Sequence, residues 1–371
     1  MEAHKIFPNL ECLVIDFDEA QKWLLSNTVK HPMHRLKELR LSEVNDGERL
    51  CQILYRMPNL EKLLLWEAKH LLKESSESRL GTVLQLKELV LSLSGIKDIG
   101  FEREPVLRRL ELLSLFACKK LRNLAPPSVS VAYLTNLNVK YCNGLRNLMA
   151  SSTAKSLVQL KSMKISGCDE LEEIVSNEGN KEEEQIVFGK LITIELEWLG
   201  KLKSFCSYKN CEFKFPSLEV LIVRGCRIMQ RFTEGGARAP KLQNIVTANE
   251  EGKEEAKWQV ISCLSSINLV PCTVSFSNLT YLLVQNCKSL LYLFTSSTAR
   301  SLGQLKTMEI SGCDSMEEIV SEEGDESDED EIIFQQLNCL ELEGLGKLRR
   351  FYKGSLSFPS LREEIERIYK N

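Results

Sequence analysis

Cysteine is the residue type with the widest chemical scope in this chain, which has 371 residues and thirteen cysteines. Thiolates bind zinc or act as nucleophiles, and both roles need further ligands or a histidine base close by. The cysteines are spread along the chain, and the four histidines all fall within the first 70 residues, in no zinc-binding spacing. We therefore expect no metal, no cofactor and no catalytic residue, and we do not expect an enzyme.

Two acidic runs offer another ligand chemistry, because clustered carboxylates can bind calcium. They cover residues 178–184 and 322–331. The second reads Glu-Glu-Gly-Asp-Glu-Ser-Asp-Glu-Asp-Glu, which lacks the glycine placement and the final bidentate glutamate of a calcium loop. We interpret both runs as solvated acidic loops, with contact to a basic partner domain as the functional alternative.

Many of the cysteines have a shared place in a repeated unit, which reads L-x-x-L-x-L-x-x-C-x-x-L, with asparagine or another residue in place of the cysteine in some units. Six of them follow the last core residue of this unit by three positions: Cys118, Cys142, Cys168, Cys226, Cys287 and Cys313. A turn at that step needs a small buried group that can hydrogen-bond to the adjoining loop, and a thiol is a weak donor of this kind. We predict that these six are structural turn cysteines. Cys206 and Cys211 lie off this position, where a thiol could be exposed.

The repeat tiles the whole chain. Its first leucines are Leu10, Leu36, Leu60, Leu86, Leu110, Leu134, Leu160, Leu191, Leu218, Leu279, Leu305, Leu337 and Leu361, and a degenerate unit at Leu242 brings the number to about fourteen. Residues 233–275 hold this degenerate repeat and an insertion. A phrase such as Phe-Pro-Ser-Leu opens many units, where proline ends the preceding segment.

The spacing of the unit predicts its structure. The last two apolar residues of L-x-x-L-x-L point to one side of a short strand, and the residues between them point away. Stacked units form a parallel sheet, with short helices and irregular segments on the other side. We therefore predict an α/β leucine-rich-repeat solenoid over residues 1–371, a single horseshoe with the sheet on its concave face.

A block of several repeats is also duplicated in the sequence. Residues 135–205 match residues 280–351, and Ser151-Ser-Thr-Ala-Lys-Ser-Leu157 corresponds to Ser296-Ser-Thr-Ala-Arg-Ser-Leu302. Serine and threonine are favourable helix N-caps, so this segment predicts a helix on the convex side.

Binding is expected on the concave face, at the residues between and just after the core positions of each strand. Our candidate protein-binding residues there are Trp66, Phe116, Lys140, Tyr141, Glu195, Glu197, Trp198, Arg224, Tyr281 and Gln285. Exposed aromatic residues and arginine are common anchors of protein interfaces. Any one of these side chains could instead simply cover a neighbouring strand.

The composition of the chain limits the kinds of binding partner and the cellular location that we expect. A net charge of −4 shows no basic surplus for nucleic acid, and 43% hydrophobic residues exclude a disordered chain. No secretory apolar region opens the sequence, and no stretch reaches the about 18 apolar residues that span a bilayer. We expect a cytoplasmic protein whose partners are proteins, with no nucleic acid and no membrane span.

Two segments resemble a known family. Residues 160–175, Leu-Lys-Ser-Met-Lys-Ile-Ser-Gly-Cys-Asp-Glu-Leu-Glu-Glu-Ile-Val, and residues 215–226, Phe-Pro-Ser-Leu-Glu-Val-Leu-Ile-Val-Arg-Gly-Cys, are similar to the leucine-rich repeats of plant nucleotide-binding disease-resistance proteins of the coiled-coil type. The resemblance implies a module that restrains a nucleotide-binding switch and recognises a pathogen effector or a guarded host protein. The chain has no G-x-x-x-x-G-K-[ST] phosphate loop, so nucleotide binding is not carried over.

Two other functions fit the same repeats. A leucine-rich substrate adaptor of a ubiquitin ligase would have a helical docking segment before the repeats, and the eight residues Met1–Pro8 leave little room for one. An inert, truncated resistance-gene product is the other alternative.

Overall fold

The computed structural model describes residues 9–26, 32–69, 86–99, 107, 109–127, 129–177, 183–226, 228–229, 232–248, 276–287, 290–321, 331–361 and 363–367. Most of both acidic runs, the insertion at 249–275, and His4, His31 and His70 lie outside these residues. The chain divides into two compact units, Met1–Leu171 and Glu172–Asn371, each of which is described by itself. The single-domain range 1–371 stays a prediction.

The first unit has a sheet of seven parallel strands that succeed one another in chain order. They are β1 (Cys12–Asp16), β2 (Glu38–Ser42), β3 (Lys62–Trp66), β4 (Glu88–Ser92), β5 (Leu112–Phe116), β6 (Asn136–Lys140) and β8 (Ser162–Ser166), while β7 (Asn147–Ala150) lies outside this sheet. Each strand from β2 onward buries its second and fourth residues, as Leu137 and Val139 do in β6. The alternation results from the two-residue period of a strand with one buried face.

Three helices connect strands of this unit among the residues that the structure describes. They are α1 (Phe17–Leu24), α2 (Gly47–Leu54) and α3 (Ser151–Ser156). Asp16 caps α1, and the carboxylate of Asp46 caps α2 by accepting from the backbone N–H groups of Glu48 and Arg49 at 3.0 and 3.2 Å. Both helices turn leucines into the core, including Leu24 and Leu50, which are 0% exposed.

The second unit has an equivalent parallel sheet. Its strands are β11 (Thr193–Glu197), β13 (Val220–Arg224), β15 (Asn244–Ala248), β16 (Tyr281–Gln285), β18 (Thr307–Ser311), β21 (Cys339–Glu343) and β23 (Glu363–Arg367). The degenerate unit around Leu242 thus supplies a strand, β15. One helix of this unit, α4 (Ser296–Arg300), occupies the place that α3 has in the duplicated block.

Shorter strands connect these repeats. They are β9 (Glu173–Ser176), β10 (Glu184–Val187), β12 (Cys211–Lys214), β14 (Ala237–Arg238), β17 (Phe294–Thr295), β19 (Val320–Ser321), β20 (Ile332–Ile333) and β22 (Leu356–Ser357). β10, β12 and β14 form a parallel sheet, and β17 pairs with β19 as β20 pairs with β22. Glu184, the last residue of the first acidic run, begins β10 and is only 8% exposed.

Stacked phenylalanines fill the second unit beneath these strands. Phe205 lies with its ring centroid 4.9 to 6.4 Å from those of Phe188, Phe213, Phe215 and Phe232. Phe215 belongs to the Phe-Pro-Ser-Leu phrase, so the phenylalanine of that phrase is a core residue as well as the entry to a strand. With its long series of parallel strands, one from each repeat, the structure confirms the predicted leucine-rich-repeat solenoid.

The two predicted helices form at the expected positions, but the predicted serine and threonine N-caps do not cap them. α3 and α4 form where expected, but the serines lie inside the helices, and the cap residues Ala150 and Thr295 make no side-chain cap hydrogen bond. The predicted cap side chains are largely buried instead, since Ser151 and Thr153 are 4% and 0% exposed and Ser296 and Thr298 are 9% and 3% exposed. At the other end of each segment, Ser156 Oγ accepts from the backbone N–H of Val131 at 3.1 Å, and Ser301 Oγ accepts equivalently from Phe276 at 3.0 Å.

Candidate protein-binding surface

The outward residues of each sheet form a surface that we call the strand face. In each unit it consists of the first, third and fifth residues of the sheet strands together with the residue directly after each strand from β2 onward, as far as the structure describes these side chains. Trp66, Phe116 and Lys140 are fifth residues in the first unit, and Tyr141 comes directly after β6. In the second unit Tyr281, Glu195 and Glu197 are first, third and fifth residues, Arg224 and Gln285 are fifth residues, and Trp198 comes directly after β11.

From β2 onward, the described residue directly after each strand of the main sheet has a left-handed backbone. Non-glycine residues with this conformation are Glu43, Glu67, Leu93, Ala117, Tyr141, Trp198 and Asn286, with φ between 49° and 57°. Each non-glycine backbone N–H there donates to the last carbonyl of the next strand, as from Tyr141 to Ser166 O at 2.9 Å and from Trp198 to Arg224 O at 2.7 Å. The extra hydrogen bond extends the ladder by one residue and offsets the cost of the strained conformation.

The first unit exposes a row of apolar side chains where its strands end. Trp66 is 51% exposed, Phe116 39% and Tyr141 52%, and Leu93, which the sequence reasoning missed, is 41% exposed. Phe116 and Tyr141 form an edge-to-face pair with ring centroids 5.5 Å apart. Large apolar side chains held rigidly at a surface are typical anchors for a partner protein.

Two of the predicted aromatic residues also support the neighbouring repeat. The ring of Tyr141 lies over Gly167, and the ring of Trp198 lies over Gly225, where any added Cβ would come within 2.5 Å and 2.1 Å of ring carbon atoms respectively. Both glycines have positive φ, at 62° and 60°. Glycine is therefore required twice over, by backbone conformation and by the ring above it. Trp198 still exposes 43% of its surface.

Apart from Trp198, the predicted residues of the second unit are less exposed than those of the first. Arg224 Nη1 lies 3.0 Å from Glu197 Oε1 on the adjacent strand, so these two candidates form an ion pair with each other. Glu195, Tyr281 and Gln285 are half-buried. Burial, and secondly the nearby charge of Glu309, raise the pKa of the Tyr281 phenol.

The six turn cysteines are all buried, at 0 or 1% exposure. Their thiols lie within hydrogen-bonding distance of backbone carbonyl groups. Cys226 Sγ, for example, lies 3.5 Å from Leu196 O and 3.4 Å from Arg224 O, either of which can accept its one proton. The backbone N–H of Cys142 also donates to Cys168 Sγ, at 3.3 Å. Burial raises the pKa of the Cys226 thiol to about 12, which holds it in the unreactive protonated form.

The expectation for the two other cysteines was wrong. Cys206 and Cys211 are 2% and 1% exposed. Cys211 begins β12, in which Cys211 and Phe213 face the core. The backbone of Cys206 forms an isolated β-bridge with that of Thr233. These thiols are buried because the connecting strands of the second unit form a sheet of their own. The spacing of the repeats does not predict this additional sheet.

No metal site or membrane span occurs among the residues that the structure describes. No group of three or more histidine, cysteine, aspartate or glutamate side chains there is arranged to hold a metal ion. Within the same residues, no helix is long and apolar enough to cross a bilayer.

A family model matches more than half of the chain. The model described as "Plant disease resistance protein RPS2-like, leucine-rich repeats" matches residues 127–249 and 266–365, more than half of the sequence. The chain belongs to this family. These RPS2-like repeats therefore form the leucine-rich-repeat region of a plant disease-resistance protein. No curated protein matches the chain as a relative.

Solved structures with a similar arrangement are distant. The chain is 16% identical to the protein in a "Crystal structure of TLR13-ssRNA13 complex", with a TM-score of 0.31, and the match covers 94% of this chain and 58% of that one. The chain therefore spans little more than half of that receptor's length. It is 13% identical to "Plant peptide hormone receptor RGFR1 in complex with RGF2", with a TM-score of 0.21 and with 88% and 75% of the two chains covered.

Proposed function

We propose that this RPS2-like repeat region is a non-catalytic recognition module of plant defence, which binds a pathogen effector or a guarded host protein and restrains a nucleotide-binding switch in the cytoplasm. The observation that carries the proposal is the row Trp66, Leu93, Phe116 and Tyr141 on the strand face of the first unit. Four large apolar side chains there are 39 to 52% exposed. An exposed apolar row on a soluble scaffold is a feature expected of a protein interface.

The backbone beneath this row favours binding. Successive strands of the first unit are joined in register from Cys12 to Ser166, and the residues after β2 to β6 are held by one more hydrogen bond each. A surface fixed in this way loses little conformational entropy when a partner binds. Truncation of a central aromatic anchor typically costs about 2 kcal/mol or more, which corresponds to a roughly thirtyfold weaker complex.

A pull-down from plant tissue tests this proposal. The full chain serves as bait, and captured proteins are identified and then tested as purified components for direct binding. We expect a nucleotide-binding switch domain, a host protein or a microbial effector to bind the wild type, and to bind Trp66→Ala and Phe116→Ala at least tenfold more weakly.

Tyr133→Ala is the matched control, because Tyr133 is an aromatic residue of the same unit that is 61% exposed and lies outside the strand face. The control should bind like the wild type. If the two strand-face variants bind every direct partner as well as the control does, the strand face of the first unit is not the recognition surface.

A further inference from the structure

We propose that the strand face of β13, β15, β16, β18 and β21 binds an amphipathic helix of a partner protein, whose apolar part packs on the first three strands and whose basic end meets Glu309 and Glu341. This inference rests on the proposed function, and it adds a second contact surface together with the chemistry of its partner. We call the surface the apolar-acidic row and define it by the third residues of these strands, Ile222, Val246, Leu283, Glu309 and Glu341.

The five residues of this row lie side by side across the sheet. Ile222 is opposite Val246, and Val246 is opposite Leu283. Leu283 is opposite Glu309, which in turn is opposite Glu341. Neighbouring strands are about 4.8 Å apart, so the row is a line of about 19 Å with three apolar and then two acidic side chains. All five are half-buried, so part of each side chain reaches the surface.

The acidic end of the row has no basic side chain beside it on the strand face. The described strand-face residues of β15, β16, β18 and β21 include no lysine or arginine. The Tyr281 hydroxyl donates a hydrogen bond to the Glu309 carboxylate, which positions this group without neutralising its charge. Carboxylates directly opposite each other on neighbouring strands repel. A lysine or arginine of a partner placed over Glu309 and Glu341 relieves this repulsion, so the pair favours a basic partner.

The loops beyond these strands do not supply the missing positive charge, because their own charges balance. Residues 312–319 after β18 carry Asp314, Glu317 and Glu318. The equivalent residues 344–351 after β21 carry Lys347, Arg349 and Arg350. The two loops are joined where Arg350 Nη2 lies 3.1 Å from Glu318 Oε1. The three negative and three positive charges offset one another, and the charge of the strand-face pair remains.

Two further positions could alter this charge and do not. Lys306 comes directly before β18, where the alternation of side chains turns it away from the face that carries Glu309. Glu343 is a third carboxylate of the face, but its register partner on β23 is Arg367, so we count only the pair at the third positions. The register partner of Glu341 on β23 is the apolar Ile365.

The opposite end of the row is already provided with partners. Glu197 on β11 is paired with Arg224 at 3.0 Å. Glu195, which lies opposite Ile222, takes part in an interaction within the chain. The basic residues of a bound helix are therefore expected at the β18 and β21 end, with its apolar residues over β13, β15 and β16.

The spacing of the row suits a helix better than an extended segment. Same-side residues of an extended chain are about 6.7 Å apart, so they lose register with a row of about 4.8 Å by the third side chain. Residues i, i+4, i+7, i+11 and i+14 of a helix lie on one side, about 5 Å apart on average along its axis. Three successive members of this set can therefore lie over the apolar part of the row, and the other two over Glu309 and Glu341.

The duplicated block supplies variants that an equivalent backbone already carries. The buried residues of β16 and β18 repeat those of β6 and β8, with a leucine and a valine in the first strand of each pair and a methionine and an isoleucine in the second. On the outward side, Leu283 and Glu309 correspond to Asn138 and Lys164. Leu283→Asn and Glu309→Lys should therefore change the row and preserve the fold.

A library of helical peptides displayed on phage tests this inference. Positions i, i+4, i+7, i+11 and i+14 of one helix are randomised, and clones are selected on the full wild-type chain. We expect apolar residues at three successive positions and lysine or arginine at the two positions of one end. The best clone is then synthesised as a fluorescent peptide, and its Kd is measured by fluorescence anisotropy.

Two substitutions should weaken this peptide. Glu309→Lys should raise Kd about tenfold or more, the loss expected for one charge-assisted contact. Leu283→Asn should raise it about tenfold, since it removes one apolar contact. Raising the salt concentration from about 0.05 M to about 0.5 M should weaken binding to the wild type more than binding to Glu309→Lys, because salt screens the attraction.

Glu331→Lys is the matched control, because it makes the same charge change at an exposed glutamate of the second unit that lies directly before β20, outside the strand face. It should change Kd less than twofold, and unfolding curves of all variants should match that of the wild type.

The outcomes separate this inference from the proposed function. Acidic clones, clones that bind both row variants as tightly as the wild type, or a failure to select any clone would overturn the inference alone. A chain that dimerises by itself and that Glu309→Lys turns into a monomer would also overturn it, since a second copy would then occupy the row. The proposed function fails separately, if the pull-down from plant tissue captures no protein that binds directly.

Discussion

Substitution of Gly225 by alanine should reveal the support that one repeat gives the next. Gly225 has φ +60°, and the Cβ of an alanine there would come 2.1 Å from Cε3 of Trp198 and 2.6 Å from Cζ3. Alanine in the left-handed region costs about 1 to 2 kcal/mol relative to glycine. Displacing a packed ring adds about 1 to 3 kcal/mol. We expect Gly225→Ala to lower the free energy of unfolding by about 2 to 5 kcal/mol.

Gly344 provides the matched control. It has the same φ of +60°, but the nearest atom to an added Cβ is Gly312 N at 3.4 Å, an ordinary contact. Gly344→Ala should therefore cost only the backbone part, about 1 to 2 kcal/mol. The difference between the two variants isolates the contact with Trp198.

A double-mutant cycle completes this test. Trp198→Ala removes the ring, so adding Gly225→Ala to it should cost no more than Gly344→Ala costs alone. The free energies come from urea unfolding monitored by far-UV circular dichroism, with hydrogen exchange around residues 195–226 as the local measure. If Gly225→Ala is no more harmful than Gly344→Ala, or if Trp198→Ala gives no relief, the ring does not constrain the glycine.

Two further predictions concern the interior of the second unit. Phe205→Ala should lower the free energy of unfolding by about 3 to 5 kcal/mol in the same urea assay, because it removes a ring that contacts four others. A loss below about 1 kcal/mol would mean that these rings are loosely packed. Because burial raises the pKa of Cys226 from 9.0 to about 12, the folded state keeps this proton while the unfolded state releases it. The contribution of this thiol to stability should therefore be constant below pH 9 and be lost as pH rises from 9 towards 12, so urea midpoints of Cys226→Ala should fall less steeply than those of the wild type over this interval.

The strands could be predicted from the sequence because their signal is redundant. In β6, a shift of one residue would bring Asn136, Asn138 and Lys140 into the core in place of Leu137 and Val139, so only one register is acceptable. The cysteine three residues later then has a fixed place beneath the turn. The same argument applies to every repeat. A repeat whose own pattern is ambiguous, such as the degenerate unit at Leu242, can therefore be aligned from its neighbours.

The left-handed residue after each strand could not be predicted from its type. Glu43, Leu93 and Tyr141 have little in common, and none is a residue that favours this conformation. The hydrogen bond to the next strand imposes it, and that bond exists only when repeats are stacked. One signal was available, since an aromatic residue at this position is succeeded one repeat later by glycine, as with Trp198 and Gly225.

The buried polar residues were misread for a related reason. Ser151 and Thr153 are 4% and 0% exposed, although serine and threonine before a short helix favour the interpretation as caps. Whether such a hydroxyl group caps a helix or is buried within it depends on how neighbouring repeats pack, which the local sequence does not show. Alternation alone placed the candidate residues on the outward side of the sheet, while their role in binding stays a prediction. The pairing of Arg224 with Glu197 depends on strand order.

The ladder of backbone hydrogen bonds has an evolutionary consequence. Successive strands are joined through main-chain groups, which every residue type except proline provides, while the outward side chains take no part in the joining. Unequal crossing-over within a gene can therefore duplicate or exchange a block of repeats without creating a mismatched junction. Lys164 and Glu309, at equivalent positions of duplicated strands, carry opposite charges on the same backbone. A copied block begins as a redundant surface, and a few point mutations are enough to give it a new specificity.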